Sequence, residues 1–205
     1  MRELEQLVEI SRKYGQDSRF VIAGGGNTSF KDSTRLWVKA SGHSLATITE
    51  DGFAVLDRAG LDLIATKEYS ANAAESEAQA TADLMAACIT KNRKPSVETS
   101  LHNALSAPFV IHLHPTMVNG LTSSMDVEAS TLRLFGDKVL YVPYSDPGYA
   151  LFKKVNSAVI EYVAAHGCEP EIILLQTTAS LSVQILLSRL RRFMIAYLPL
   201  SRAIL

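Results

Sequence analysis

Cysteine is scarce: Cys88 and Cys168 are the only two in 205 residues. Neither has a CxxC partner, so a disulfide framework is excluded and a reducing compartment is expected. No apolar run reaches the ~18 residues that a membrane-spanning helix requires. The opening residues, Met1-Arg2-Glu3-Leu4-Glu5-Gln6, are charged where a signal peptide needs an apolar core. A cytoplasmic protein without a membrane partner is the expectation. Positive charge is not in excess either. Lys plus Arg total 20 against 21 for Asp plus Glu, a formal net charge of −1, so no basic field exists to attract nucleic acid. The GxGxxG of dinucleotide folds and the GK[ST] of P-loops are both absent. What remains, 47% hydrophobic and 20% charged residues, is the composition of a globular chain of about one to one and a half domains.

Helices and strands interleave over residues 1–176. Leu4, Leu7, Val8 and Ile10 recur at helical spacing and predict a helix over 2–15, ending at Gly15. Val21-Ile22-Ala23 is a short apolar run broken by Gly24-Gly25-Gly26. Thr28–Phe30 and Leu36–Val38 then read as a hairpin around Lys31-Asp32-Ser33. Phe53–Leu56 is a further strand. The Ala- and Glu-rich stretch 73–88 predicts a helix, and another starts near Ser96. Phe109–His114 and Val139–Val142 predict strands, 150–165 a helix, and Ile172–Leu175 a last buried strand. No repeat or low-complexity linker interrupts them.

Several residues are chemically suggestive. His112 and His114 sit at i and i+2 in a strand, so both imidazoles leave one face and converge. Imidazole is a natural ligand for Zn²⁺ and its neighbours, although HxH alone equally describes two half-buried histidines. Glu98 falls near a helix start, where the macrodipole favours its ionised form. Beside a metal-bound carbon acid it becomes a plausible general base, and otherwise it is an ordinary helix-terminal acid. His102 lies one turn later on the same helix face. Gly26 and Asn27, within Gly24-Gly25-Gly26-Asn27-Thr28-Ser29, offer close backbone approach and donors suited to phosphate oxygens, as a hairpin turn also would. Ser41, Gly42 and Ser96 are further candidate anion contacts, and Tyr144 can supply a phenolic proton.

The order of GGGNTS, LWVKASG, PSVETSLH, HLHP and LFGDKVLYVPYSDPG along residues 1–176 resembles the class II aldolase/adducin family. The blocks look most like the aldolase domain of rhamnulose-phosphate aldolase/alcohol dehydrogenase proteins. The resemblance implies a three-layer α/β/α fold around a central, largely antiparallel sheet, assembled as a homotetramer with sites between subunits. It also implies a Zn²⁺-dependent aldolase that cleaves a ketose 1-phosphate to dihydroxyacetone phosphate and an aldehyde. His112 and His114 match the metal ligands, and Glu98 the acid that acts as base and can touch the metal. Gly26, Asn27, Ser41, Gly42 and Ser96 match the phosphate grip, with Val97 departing from a second serine of the fuculose-type enzymes. Tyr144 matches the tyrosine by which a neighbouring subunit protonates the leaving aldehyde. A non-catalytic adducin-like scaffold and a related sugar-phosphate epimerase are the alternative readings.

The tail departs from this pattern. Residues 177–205 contain no acid, lysine or glycine, only Arg189, Arg191, Arg192 and Arg202 among Leu, Ile and Ser. Without those four arginines, residues 1–176 carry 16 basic against 21 acidic groups, a net of −5. By the resemblance, Gln176 should lead into Asn-His-Gly, whose histidine is the third metal ligand; here Thr177-Thr178-Ala179-Ser180-Leu181 follows instead. The codons CAG AAC CAC GGC CTC TTT A, with one A of AAC deleted, read Gln-Thr-Thr-Ala-Ser-Leu, identical to 176–181. The expectation is thus a family domain over 1–176 and a frameshift-derived tail over 177–205, with a basic amphipathic helix for a membrane or partner as the competing account.

Overall fold

The computed structural model describes residues 2–115, 127–136, 139–176 and 183–187. Period-2 patterning produces the predicted hairpin: β1 (Asn27–Lys31) and β2 (Arg35–Lys39) pair antiparallel, Ser29 opposite Val38 and Lys31 opposite Leu36. The turn is set by Asp32, whose Oδ1 accepts the Thr34 and Arg35 backbone N–H groups, both at 2.7 Å. β3 (Phe53–Asp57) lies along β2, and β4 (Phe109–Leu113) along β1. With β5 (Val139–Val142), β6 (Ile172–Gln176) and β7 (Val183–Leu187) they form a seven-stranded sheet of order β3-β2-β1-β4-β7-β6-β5. Every adjacent pair is antiparallel except β5 and β6.

Helices cover both faces. On one, Leu4, Leu7 and Val8 of α1 (Arg2–Gly15) pack on Phe30, Trp37 and Phe53. Ile10 and Tyr14 join Ile111, Leu113 and Leu174, with Phe135 of α5 (Val127–Phe135) against the same cluster. On the other face, Leu36, Val38 and Leu56 meet Leu61 and Ile64 of α2 (Arg58–Thr66) and Leu84 and Ala87 of α3 (Ala73–Ala87). Val110, Val142, Ile173 and Leu175 meet Leu101 of α4 (Thr99–Ala104) and Leu151, Val155 and Val159 of α6 (Tyr149–His166). Each fully buried leucine-sized side chain contributes about 1.5–3 kcal/mol. The three-layer α/β/α expectation holds, and no described helix is long and apolar enough to cross a membrane.

Three differences from the sequence reading stand out. Helices α5 and α2 were not anticipated. Helix α2 is nine residues long, capped by Asp57, whose carboxylate accepts the Gly60 N–H at 2.9 Å, and it buries only Leu61 and Ile64. In the tail, Val183–Leu187 forms a strand rather than part of a basic helix. It lies between β4 and β6, with Ile185 opposite both Leu113 and Leu174, so its backbone is laddered on both sides. The rest of 177–205 lies outside the described residues, including Thr177 and Thr178, where the third histidine was expected.

Candidate active site on the α4 face of the sheet

Alternation along β4 sends Phe109, Ile111 and Leu113 to the α1 face and Val110 and His112 to the α4 face. His114, two residues beyond His112, follows it: their ring centres are 5.1 Å apart. Helix α4 lies above them. Glu98 is its N-cap residue, yet its carboxylate caps nothing; Oε2 stands 2.9 Å from His112 Nδ1. The two groups are within ion-pair distance, while neither ring nitrogen of His112 meets hydrogen-bond geometry with a partner. His112 is 1% exposed.

Electrostatics follow from burial. For Glu98, burial pushes the carboxyl upward, but the surrounding imidazoles, His112 foremost, outweigh it and hold the group down at about 2. Burial, reinforced by His112 and opposed by Glu98, lowers His102 to about 3 and His114 to about 4. His102 is fully enclosed. Its Nδ1 is 2.7 Å from Ser29 Oγ, while its Nε2 has no partner.

The segments expected to grip phosphate meet at one rim. Asn27 is paired directly opposite His112, and its buried Oδ1 is unpartnered. Gly26 adopts φ +75°, and a Cβ there would sit 3.1 Å from the His112 carbonyl oxygen and 2.9 Å from Leu45 Cδ1. Only glycine fits that turn and that approach. A bridge between Ala40 and Pro95 joins the Ser41–Gly42 turn to Ser96, with the Ser41 N–H donating to the Lys94 carbonyl at 2.8 Å. Ser96 Oγ in turn accepts the Glu98 N–H at 3.3 Å.

Tyr144 follows β5, which β7 and β6 separate from β4 in the sheet. Its phenol contacts Asp146 of its own chain. The sequence reading also missed two buried lysines beneath the site. Lys31 Nζ donates to the His102 carbonyl at 2.6 Å, and Lys39 Nζ to the His43 carbonyl at 2.9 Å. Burial lowers both, Lys31 to about 7, while Glu98 partly restores Lys39. Continuing each strand's alternation to its last residue was the available signal.

Donor chemistry at this site suits a divalent ion, but closure is incomplete. An imidazole ligand places its ring centre about 3.2 Å from zinc, so two tetrahedral neighbours stand about 5 Å apart, as His112 and His114 do. His102, 6.5 Å from His112, is beyond that spacing. Among the described residues, no group of three His, Cys, Asp or Glu side chains is placed to hold a metal ion. Glu98 is turned onto His112 Nδ1 instead.

The chain belongs to the class II aldolase and adducin N-terminal domain family, whose model matches residues 5–178. It is similar to the N-terminal class II aldolase domain of a conserved protein from Thermoplasma acidophilum, at 26% identity and a TM-score of 0.70 over 90% of this chain and 82% of that one. A solved L-fuculose 1-phosphate aldolase shares the fold at 16% identity and a TM-score of 0.56, over 95% and 79% of the two chains. A curated relative, the uncharacterized oxidoreductase YuxG of Bacillus subtilis, is 27% identical over 184 residues. That match takes in 84% of this chain but only 25% of the relative, so the chain spans about a quarter of its length.

Proposed function

We propose that this chain is the aldolase domain of a divalent-metal-dependent, zinc-type enzyme that cleaves a rhamnulose-like ketose 1-phosphate. The products are dihydroxyacetone phosphate and an aldehyde. Cleavage is impaired here because the frame is lost after Gln176 and with it the third histidine, leaving a family domain over 1–176 and a foreign tail over 177–205. The observation that carries this reading is Glu98 Oε2 at 2.9 Å from buried His112 Nδ1, with His114 beside it.

Each residue then has a task. Gly26, Asn27, Ser41, Gly42 and Ser96 bind the substrate phosphate through backbone and neutral side-chain donors. His112 and His114, joined by Glu98 once its carboxylate turns off His112 Nδ1, would hold the divalent ion, which would polarise the substrate carbonyl. Glu98, ionised at neutral pH, accepts the proton from carbon in synthesis and returns it in cleavage. Tyr144 serves a neighbouring subunit of a cytoplasmic homotetramer, taking up the proton of the hydroxyl that becomes the aldehyde in cleavage and donating it to the aldehyde oxygen in synthesis.

The test is a chain in which the frame after Gln176 is restored to open with Asn-His-Gly. It should cleave rhamnulose 1-phosphate, and Glu98→Gln in that chain should keep the fold and lower kcat by about 10²-fold or more. A restored chain that cleaves no ketose 1-phosphate defeats the assignment, and an unchanged kcat in the Glu98 variant removes that residue from proton transfer.

A further inference from the structure

The segment after β5 has no regular structure, yet Tyr144 is held within it at both main-chain groups. The parallel register aligns Val142 with Leu175, where the ladder ends. Residue 143 is proline, which cannot donate. The side chain of Gln176 takes over: its Oε1 accepts the Tyr144 N–H at 3.1 Å and the Tyr141 hydroxyl at 2.9 Å, engaging both lone pairs of one amide oxygen. From the other side, Lys154 Nζ donates to the Tyr144 carbonyl at 2.8 Å. Strand β6 and helix α6 thus each send one side chain to the same residue.

We propose that Gln176 and Lys154 are positioning residues that clamp the main chain of Tyr144 and so aim its phenol. The role rests on the reading of Tyr144 as proton donor, which demands placement within about 0.5 Å. A loop fixes a side chain that closely only when its own polar groups are tied to rigid elements. In both of its contacts Gln176 acts as an acceptor, so a carboxylate can replace it and an alkyl group cannot.

The chain carries seven tyrosines, and 3-fluorotyrosine labelling gives each a ¹⁹F resonance; Tyr144→Phe identifies the one that belongs to residue 144. Gln176→Leu and Lys154→Met should each shift that resonance toward the position of free fluorotyrosine, while Gln176→Glu leaves it in place. The inference is overturned if the resonance stays put in Lys154→Met or in a folded Gln176→Leu, or if Gln176→Glu moves it as far as leucine does. Should Gln176→Leu collapse the spectrum, Lys154→Met and Gln176→Glu decide between them. Failure of the functional reading shows differently: Tyr144→Phe in the frame-restored chain would keep full turnover while the ¹⁹F shifts behave as described.

Discussion

Replacing His102 tests whether burial governs the ionisation beneath the site. His102 has no solvent exposure, an unpartnered Nε2, and a folded-state value near 3 against an ordinary 6.5. A histidine lowered in the folded state binds its proton first in the unfolded chain. Stability is therefore complete above 6.5 and falls as pH drops from 6.5 toward 3, by about 1.4 kcal/mol per pH unit. Between pH 7 and pH 4.5 the loss from this one group is roughly 2.7 kcal/mol, a large fraction of the about 5–15 kcal/mol that holds a domain folded. His102→Asn removes the titration and leaves an amide that can still bond Ser29. Urea unfolding followed by circular dichroism, at pH 7 and 4.5, should show a smaller acid loss in the variant than in the parent by about that amount. Parallel pH dependence in the two proteins would refute the reasoning, since all other titrating groups are common to both.

Other perturbations follow from single contacts. Gly26→Ala forces a Cβ into φ +75° and against the His112 carbonyl, and should cost about 1–2 kcal/mol in chemical unfolding. Equal stability would mean the turn is not held as described. Glu77 Oε2 accepts the Tyr149 N–H at 2.8 Å, capping α6 from α3 at a point where Gly148 leaves room for the carboxylate. Glu77→Ala should lower the unfolding free energy by about 1 kcal/mol, and no change would show the cap to be idle. Sequencing the source gene should reveal Asn-His-Gly in the plus-one frame after Gln176; an immediate stop there would rule out the frameshift.

Much of the fold is legible because its signals are local and periodic. Helix α1 follows from Leu4, Leu7 and Val8, and the hairpin from period-2 alternation around Asp32. Helix α2 stays hidden because its nine residues bury two side chains, too little periodicity to distinguish from a loop. Strand β7 is invisible for another reason. Val183–Leu187 is apolar but for Gln184 and carries no sustained alternation, and only the two strands flanking it decide that it ladders instead of coiling. At the site, His112 and His114 were readable from spacing, and Glu98 from its place at a helix start. The Glu98–His112 contact was not, since it depends on how α4 lies over β4, and neither were the contacts on Tyr144, which join β6 and α6 to the segment after β5.

The central claim is a class II aldolase site left one ligand short. Its most direct test is zinc binding to three purified chains: this one, its His112→Ala/His114→Ala variant, and the chain with Asn-His-Gly restored after Gln176. Loss of an outer-shell partner alone weakens a metal site by about 10–100-fold, and loss of a ligand weakens it at least as much. The restored chain should therefore bind one zinc per chain, the present chain should bind it about 10²-fold more weakly or worse, and the double variant should bind none. Equal zinc content in all three would contradict the account.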